Sequence, residues 1–245
     1  MDFKTYLIVF TIIYLVYVIF VILRKKSLLK FKKSTYVTYL VNVYKIDVES
    51  INKKNNYLPI AIAYQLEKKT NNQNLIMNIV PIKSNGKTFV YFPTEKEVSN
   101  LKFHINAPFS CTVARDSICN CAENDRLLEY IGNLVVESIE DIKSLNLLNM
   151  SFLATLPNAK DNLKQPYLQI FQLIYISFQN HNYLPTKSNN FISSKNGVIC
   201  SKEISNIIDE NGFYELTNRK KKYIYNAMKN TRESDFLYSL NIEEF

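Results

Sequence analysis

The stretch that decides the fold runs from residue 124 to residue 144 and reads NDRLLEYIGNLVVESIEDIKS. Its apolar residues recur at steps of three and four, and charged residues occupy the positions between them. This spacing predicts one amphipathic helix over 124–144, with Asn124 or Asp125 near its N-cap. The positions expected to face the core are Leu127, Leu128, Ile131, Leu134, Val135, Ile139 and Ile142.

Upstream of this helix, the sequence alternates with the two-residue period of β-strands. Short runs of Val, Ile, Tyr and Phe are separated by breaks that carry Asn, Lys and Gly, such as NKKNN and SNGK. Asn85-Gly86 indicates a hairpin turn between the third run and the fourth. Strands are predicted at 36–46, 58–66, 75–82, 87–92 and 101–105.

Downstream, the helical period returns and helices are predicted at 166–178, 202–208, 219–228 and 233–240. Strands first and helices second predict an α+β domain in which the helices pack on one face of the sheet. Neither a repeat nor a low-complexity tract divides this part of the sequence. The prediction is therefore an α+β domain over 34–210 followed by a helical C-terminal extension over 211–245.

An apolar segment precedes the predicted domain. Residues 6–23, YLIVFTIIYLVYVIFVIL, are 18 consecutive residues without a charge. As a helix they would reach about 27 Å, close to the hydrocarbon core of a bilayer at about 30 Å. Arg24, Lys25 and Lys26 follow directly and favour a cytoplasmic position for this flank.

The sequence thus predicts that residues 1–33 form a single-pass transmembrane anchor in the lipid bilayer. Its amino terminus would lie outside and the C-terminal domain in the cytoplasm. The alternatives are a helix buried in a protein core, or residues translated upstream of the true domain.

The composition excludes several classes of function. Residues 1–33 contribute +6 of the formal net charge of +8, so the folded part lacks the basic surface of a nucleic-acid-binding domain. Four scattered glycines cannot form a P-loop or a Rossmann fingerprint, which need several closely spaced glycines. Two histidines and no G-x-S-x-G motif also argue against a complete hydrolase.

The remaining reactive side chains predict no further chemistry. Cys111, Cys119, Cys121 and Cys200 are expected to be free thiols in the reducing cytoplasm. The single C-x-C pair is a poor match to structural zinc spacing, so no metal site is predicted. His104 is expected to be a strand histidine with a satisfied hydrogen bond, since no Ser or Cys near it has a nucleophile context.

Four strings follow one another along the chain: VYFPTE at 90–95, FHINAPF at 103–109, TVARDSI at 112–118 and YLPT at 183–186. In this order and spacing, the region from about 58 to 208 resembles a segment of bacterial sacsin-like proteins. These belong to the heat-shock-chaperone, gyrase and histidine-kinase ATPase superfamily, and the segment is the one that follows their ATP-binding lobe. The resemblance implies a transducer-type α+β domain.

The family's ATP-binding lobe, with its glycine-bearing loops, is not recognisable in this sequence. The chain alone is therefore expected to be non-catalytic and to meet ATP only through a partner. By the same resemblance, the loop that carries Arg115 would reach the γ-phosphate held by such a lobe, and Thr112 and Asp116 would shape this loop. A guanidinium stays charged and binds phosphate oxygens bidentately. The alternative is that Arg115 pairs with Asp116 or a neighbouring carboxylate as a surface ion pair.

The expected function is that of a membrane-anchored, non-catalytic fragment or half of a sacsin-like ATPase, which docks on a separate ATP-binding protein. Two alternatives stay open. One is a membrane-tethered interaction protein with no link to nucleotide, and the other is a decayed reading frame whose product folds poorly. An upstream open reading frame that encodes an ATP-binding lobe would discriminate between them.

Overall fold

The computed structural model describes residues 30–33, 38–47, 57–71, 74–188, 190–200, 202–218, 220–224 and 230–244. These residues form the predicted mixed α+β fold. The predicted span at 6–23 and its flank Arg24, Lys25 and Lys26 lie outside the described residues. Among the helices that are described, none combines the length and the apolar character that crossing a bilayer requires.

Four successive antiparallel strands begin the sheet. They are β1 (Lys30–Lys33), β2 (Thr38–Asp47), β3 (Tyr57–Asn71) and β4 (Asn74–Val80). Side chains on β3 alternate between buried and partly exposed from residue 59 to residue 66, because successive residues of a strand face opposite sides of the sheet. The buried members of this series are Ile60, Ile62, Tyr64 and Leu66.

The sheet branches at β3. One edge of β3 pairs with β2, whereas its other edge pairs with β4 along residues 65–71 and with β7 (His104–Asn106) along residues 61–63. Strand β5 (Thr88–Val90) runs parallel to β7, and β6 (Phe92–Pro93) pairs antiparallel with β5. The order is therefore β1-β2-β3-β7-β5-β6, with β4 as a branch.

The predicted hairpin turn at Asn85-Gly86 is wrong, because β5 pairs with β7 and β6 and not with β4. Gly86 instead allows two backbone segments to approach closely. Its N–H donates to the carbonyl of Leu101 at 2.7 Å, and a Cβ on Gly86 would lie 1.8 Å from the carbonyl oxygen of Phe103. Only glycine fits this contact.

The predicted long helix is confirmed as α1 (Ala122–Ser144). Its predicted apolar face is buried except for Leu127, which is partly exposed. This face packs on β3 and on α3 (Gln165–Asn180), and the Tyr64 and Ser138 hydroxyls, 3.2 Å apart, join the sheet to α1. The N-cap is Cys121, which makes no side-chain cap bond, and Asn124 and Asp125 lie in the first turn, near the cap as predicted.

The C-terminal part of the described chain joins the same core. Phe236 on α6 (Arg232–Ser239) packs edge-on against Phe178 with ring centroids 5.2 Å apart. The Arg232 guanidinium also binds both carboxylate oxygens of Asp161. This helix therefore packs against the main helical layer.

One predicted helix is wrong. Within 219–228, Lys222–Tyr223 form the short strand β11, which pairs in parallel with β10 (Gly197–Ile199). Pairing with a distant strand outweighs the local helical pattern here. The remaining elements are α2 (Met150–Leu153), β8 (Leu184–Pro185), β9 (Phe191–Ile192), α4 (Lys202–Ile207), α5 (Glu210–Leu216) and β12 (Glu243–Glu244).

Candidate functional site: the Arg115 hairpin

Residues 110–119 form a tight antiparallel loop beyond the edge of the sheet, which we call the Arg115 hairpin. The Cys119 N–H donates to the Ser110 carbonyl at 2.8 Å, and the Thr112 N–H donates to the Ser117 carbonyl at 3.0 Å. The Arg115 N–H donates to the Thr112 carbonyl at 2.9 Å and closes the turn. The backbone of the loop is therefore held by its own hydrogen bonds.

Arg115 occupies an unusual backbone conformation at the end of this turn. Its φ is 56°, in the left-handed region that disfavours side chains with a Cβ. Among the described non-glycine residues, eight have a positive φ, and six of these are asparagines, which tolerate this region best after glycine. Arg115 and Tyr91 are the other two.

The Arg115 side chain is exposed. It forms no ion pair with any residue that the structure describes. The alternative in which Arg115 pairs with Asp116 is not what the structure contains, because Asp116 pairs with Lys96 at 2.6 Å. The guanidinium therefore keeps its donors available to a group outside the described chain.

The Asp116 carboxylate stabilises the turn through hydrogen bonds to three neighbouring side chains. Its carboxylate accepts from Lys96 Nζ at 2.6 Å and from the hydroxyls of Thr112 and Ser117 at 3.0 Å each. The Lys96 hydrogen bond, with help from the two hydroxyls, lowers the pKa of Asp116 to about 2. Lys96 is largely exposed, so this pair defines geometry more than it adds stability.

Asn124 fixes the base of the Arg115 hairpin to the first turn of α1. Its Oδ1 accepts from the Ser110 N–H at 2.8 Å, and its Nδ2 donates to the carbonyls of Ser110 and Cys119 at 2.9 Å and 2.7 Å. Asn124 is buried. This explains why Asn124 does not cap its own helix, since its amide is used by the loop that precedes the helix.

Glu97 fixes the returning strand of the hairpin, and sequence reasoning missed it. The side chain is only 7% exposed. One carboxylate oxygen accepts from the Ile118 N–H at 3.2 Å, and the other accepts from the Tyr167 hydroxyl at 3.1 Å and lies 3.4 Å from Lys164 Nζ. No sequence signal marks Glu97, because it lies beside Glu95 and Lys96 in an irregular stretch and reads as part of a charged surface loop.

Exposed apolar side chains lie at the same edge of the sheet. Tyr91 connects β5 to β6 and is 61% exposed, and Phe92 on β6 is 63% exposed. The segment after β6 contacts the hairpin, where the Lys96 N–H donates to the Asp116 carbonyl at 2.9 Å. Val113 is fully exposed in the turn. We call Tyr91, Phe92, Val113 and Arg115 the edge surface.

The other candidate residues lie outside this site. His104 is buried on β7, and its Nδ1 accepts from the Lys87 N–H at 2.9 Å. Burial, together with the charge of Lys87, lowers the pKa of His104 to about 4, so it is neutral near pH 7, as expected of a strand histidine. Asn149 caps α2, since its Oδ1 accepts from the Phe152 N–H, and its Nδ2 donates to Asn78 Oδ1 at 3.0 Å.

The four cysteines are free thiols. Burial raises the pKa of Cys111, which makes its thiol less reactive. Within the ranges that the structure describes, no group of three His, Cys, Asp or Glu side chains could hold a metal ion.

Comparison of the chain with protein-family models, with curated proteins and with solved structures finds no match.

Proposed function

We propose that the chain is a membrane-anchored, non-catalytic half of a sacsin-like ATPase, whose cytoplasmic α+β domain docks on a separate ATP-binding protein. In this proposal Arg115 contacts the γ-phosphate that the partner holds, and ATP is met only through that partner. The observation that carries the proposal is the state of Arg115: exposed, free of ion pairs within the described residues, and strained in backbone conformation.

The strain argues for a role outside the domain. A left-handed conformation costs an ordinary L-residue about 1–2 kcal/mol relative to the right-handed region. At six other left-handed positions the chain has Asn, which reduces this cost. The hairpin gains no ion pair from Arg115 in return. Strained residues of this kind cluster at ligand contacts, where the surrounding structure holds them in place.

The chemistry of the side chain suits a phosphate. A guanidinium offers five donors in a planar fork and can bind two phosphate oxygens at once. It stays protonated at any physiological pH. Because both strands of the hairpin are held by buried polar groups, Asn124 and Glu97, the cation is presented on a preorganised support.

The edge surface supplies the apolar part of a protein contact. Interface cores are enriched in aromatic residues and arginine, which describes Tyr91, Phe92 and Arg115. Residues 6–23 would hold the domain at the cytoplasmic face of the membrane, where Arg24, Lys25 and Lys26 meet the lipid headgroups.

The test combines the full-length chain, in lipid nanodiscs, with the product of a neighbouring gene that encodes an ATP-binding lobe. The chain alone should show no ATP turnover. In the mixture, Arg115→Ala should lower turnover by about 10³-fold or more, as for arginine fingers in phosphoryl transfer, with little effect on assembly. Arg115→Lys should restore little, since an ammonium cannot reproduce the planar fork. The matched control is Arg126→Ala, which removes an exposed arginine of α1 outside the hairpin.

Turnover by the purified chain would overturn the non-catalytic assignment. Wild-type turnover in the Arg115→Ala mixture would favour the second candidate, an interaction protein with no link to nucleotide. The exposure of Tyr91, Phe92 and Val113 is the observation behind that candidate. It predicts that Val113→Asp abolishes assembly while Arg115→Ala leaves both assembly and turnover unchanged.

A further inference from the structure

The geometry points to Glu97 as a positioning residue that sets the conformation of the Arg115 hairpin and links it to the N-terminal end of α3. The functional meaning of this link rests on the proposed function, because it is Arg115 that the hairpin presents. The link itself is a property of this chain alone and can be measured without a partner.

Glu97 is the point where three parts of the fold meet. Its carboxylate accepts from the backbone of the hairpin at Ile118 and from the Tyr167 hydroxyl in the first turn of α3. The Tyr167 oxygen lies 3.2 Å from Thr88 Oγ1 on β5. The hairpin, α3 and the sheet are thus joined through one buried carboxylate.

Stability alone does not account for a carboxylate in this place. Removing a charged group from water is costly, and a well-packed apolar replacement is often neutral or stabilising. What a carboxylate provides, and an apolar side chain does not, is two oxygens that accept from donors in different directions. Here one oxygen takes the N–H of Ile118, and the other takes the Tyr167 hydroxyl and lies near Lys164.

The hairpin depends on this acceptor because its own turn lies far from the core. Ile118 packs against the hydrophobic core, but Val113, Ala114 and Arg115 are all exposed, so apolar packing holds the base of the returning strand and not the turn. Ile118 is two residues from Asp116, whose carboxylate accepts from the side chains of Lys96, Thr112 and Ser117 and so holds the turn closed. Losing the Glu97 bond to Ile118 would therefore loosen the strand on which Asp116 and Arg115 are carried.

The experiment uses the full-length chain and three variants, Glu97→Gln, Tyr167→Phe and Lys164→Ala. Amide hydrogen exchange is followed at Ile118 and Arg115, and the Asp116 carboxyl is titrated by NMR. In Glu97→Gln the acceptor of the Ile118 N–H loses its charge, so exchange at Ile118 should quicken by about 10-fold, the difference between a hydrogen bond to a charged group and one to a neutral group.

Tyr167→Phe should give a smaller acceleration, because Glu97 keeps its bond to Ile118 but loses a fixed donor on the other oxygen. Lys164→Ala is the matched control, and the Ile118 amide of this variant should exchange at the wild-type rate. Lys164 is about half exposed, and its Nζ lies 3.4 Å from the nearest Glu97 carboxylate oxygen, which is long for an ion pair. The hydrogen bonds from Lys96, Thr112 and Ser117 lower the pKa of Asp116 to about 2. Its carboxylate bonds are therefore complete above the ordinary value of 3.8 and are lost as pH falls through about 2.

In Glu97→Gln the Asp116 pKa should move from about 2 toward 3.8, because a looser returning strand weakens the hydrogen bonds to the Asp116 carboxylate. Circular dichroism at each pH checks that the variant is still folded, since unfolding would also return this pKa to its ordinary value. Wild-type exchange at Ile118 together with an unchanged Asp116 titration would overturn the positioning role. If Glu97→Gln does not fold, the test rests on Tyr167→Phe. An exchange rate at Ile118 in Tyr167→Phe equal to that in Lys164→Ala would then overturn the positioning role.

The same variants separate this inference from the proposed function. In the mixture with an ATP-binding lobe, Glu97→Gln should lower the Arg115-dependent turnover, and Lys164→Ala should not. If Arg115→Ala leaves turnover unchanged, the proposed function fails, whereas the exchange and titration results still decide whether Glu97 positions the hairpin.

Discussion

Replacing Arg115 by glycine should make the protein more stable. The φ of 56° at Arg115 lies in a region that glycine enters without penalty, because glycine has no Cβ to meet the following carbonyl. Within the described residues the Arg115 guanidinium forms no ion pair, so its removal leaves no charged partner unpaired. The Lys96–Asp116 pair that closes the turn stays in place.

Two opposing terms set the size of the effect. Relief of the left-handed conformation contributes about 1–2 kcal/mol, and the greater freedom of glycine in the unfolded chain removes about 0.5–1 kcal/mol. The midpoints of these two ranges give a net gain in unfolding free energy of about 0.75 kcal/mol. For a chain of this size, 1 kcal/mol corresponds to about 2–4 °C in Tm, so Arg115→Gly should raise Tm by about 1–4 °C.

Thermal unfolding of the full-length chain followed by circular dichroism measures this shift. Arg115→Ala is the control, because alanine keeps the Cβ and should bring no gain, and Arg115→Asn should fall between alanine and glycine. A Tm for Arg115→Gly at or below that of Arg115→Ala would refute the claim that the turn is strained. A position where the native residue makes the protein less stable than glycine would is typical of a functional site, because activity often costs stability there.

Two further predictions concern the core and the membrane. Leu134 on α1 is 2% exposed, so Leu134→Ala should lower the unfolding free energy by about 2–5 kcal/mol. Glu137→Ala, on the exposed face of the same helix, should leave the unfolding free energy nearly unchanged. Equal shifts in the unfolding midpoint of the two variants would contradict the assignment of the buried face. Residues 6–23 predict that the full-length chain stays in the membrane fraction after extraction with carbonate. Release of the chain by carbonate would contradict the anchor. Protection of residues 24–245 from a protease added on the cytoplasmic side would contradict the predicted orientation.

Much of the fold could be predicted because it depends on local periodicity. The apolar positions of α1 recur at the helical period, and their burial follows directly from that spacing. Strand β3 alternates over Ile60, Ile62 and Tyr64, and its predicted position is confirmed. In both elements one continuous face meets the core, so local pattern and tertiary packing agree.

The rest depends on contacts between segments that are distant in sequence. Lys222 and Tyr223 belong to a strand only because β10 lies beside them. Gly86 stands where a hairpin turn is expected, yet it serves the approach of Leu101 and Phe103. Arg115 stays a candidate that only a resemblance suggests, whereas the groups that hold its hairpin, Asn124 and Glu97, act by hydrogen bonds that no periodic pattern predicts.

The branching of the sheet at β3 has a consequence for aggregation. A branched sheet has three outer strands, β1, β4 and β6, and each unpaired edge is a template for pairing with another copy. Three of the four residues of β1 are lysines. On β4, the Ile79 carbonyl already accepts a hydrogen bond from the Ser151 hydroxyl at 2.7 Å. Strand β6 is only two residues long, and its Pro93 has no N–H to donate. At β4 and β6, a second copy would therefore meet an occupied acceptor or a missing donor, and the lysine content of β1 is typical of edge strands that resist pairing.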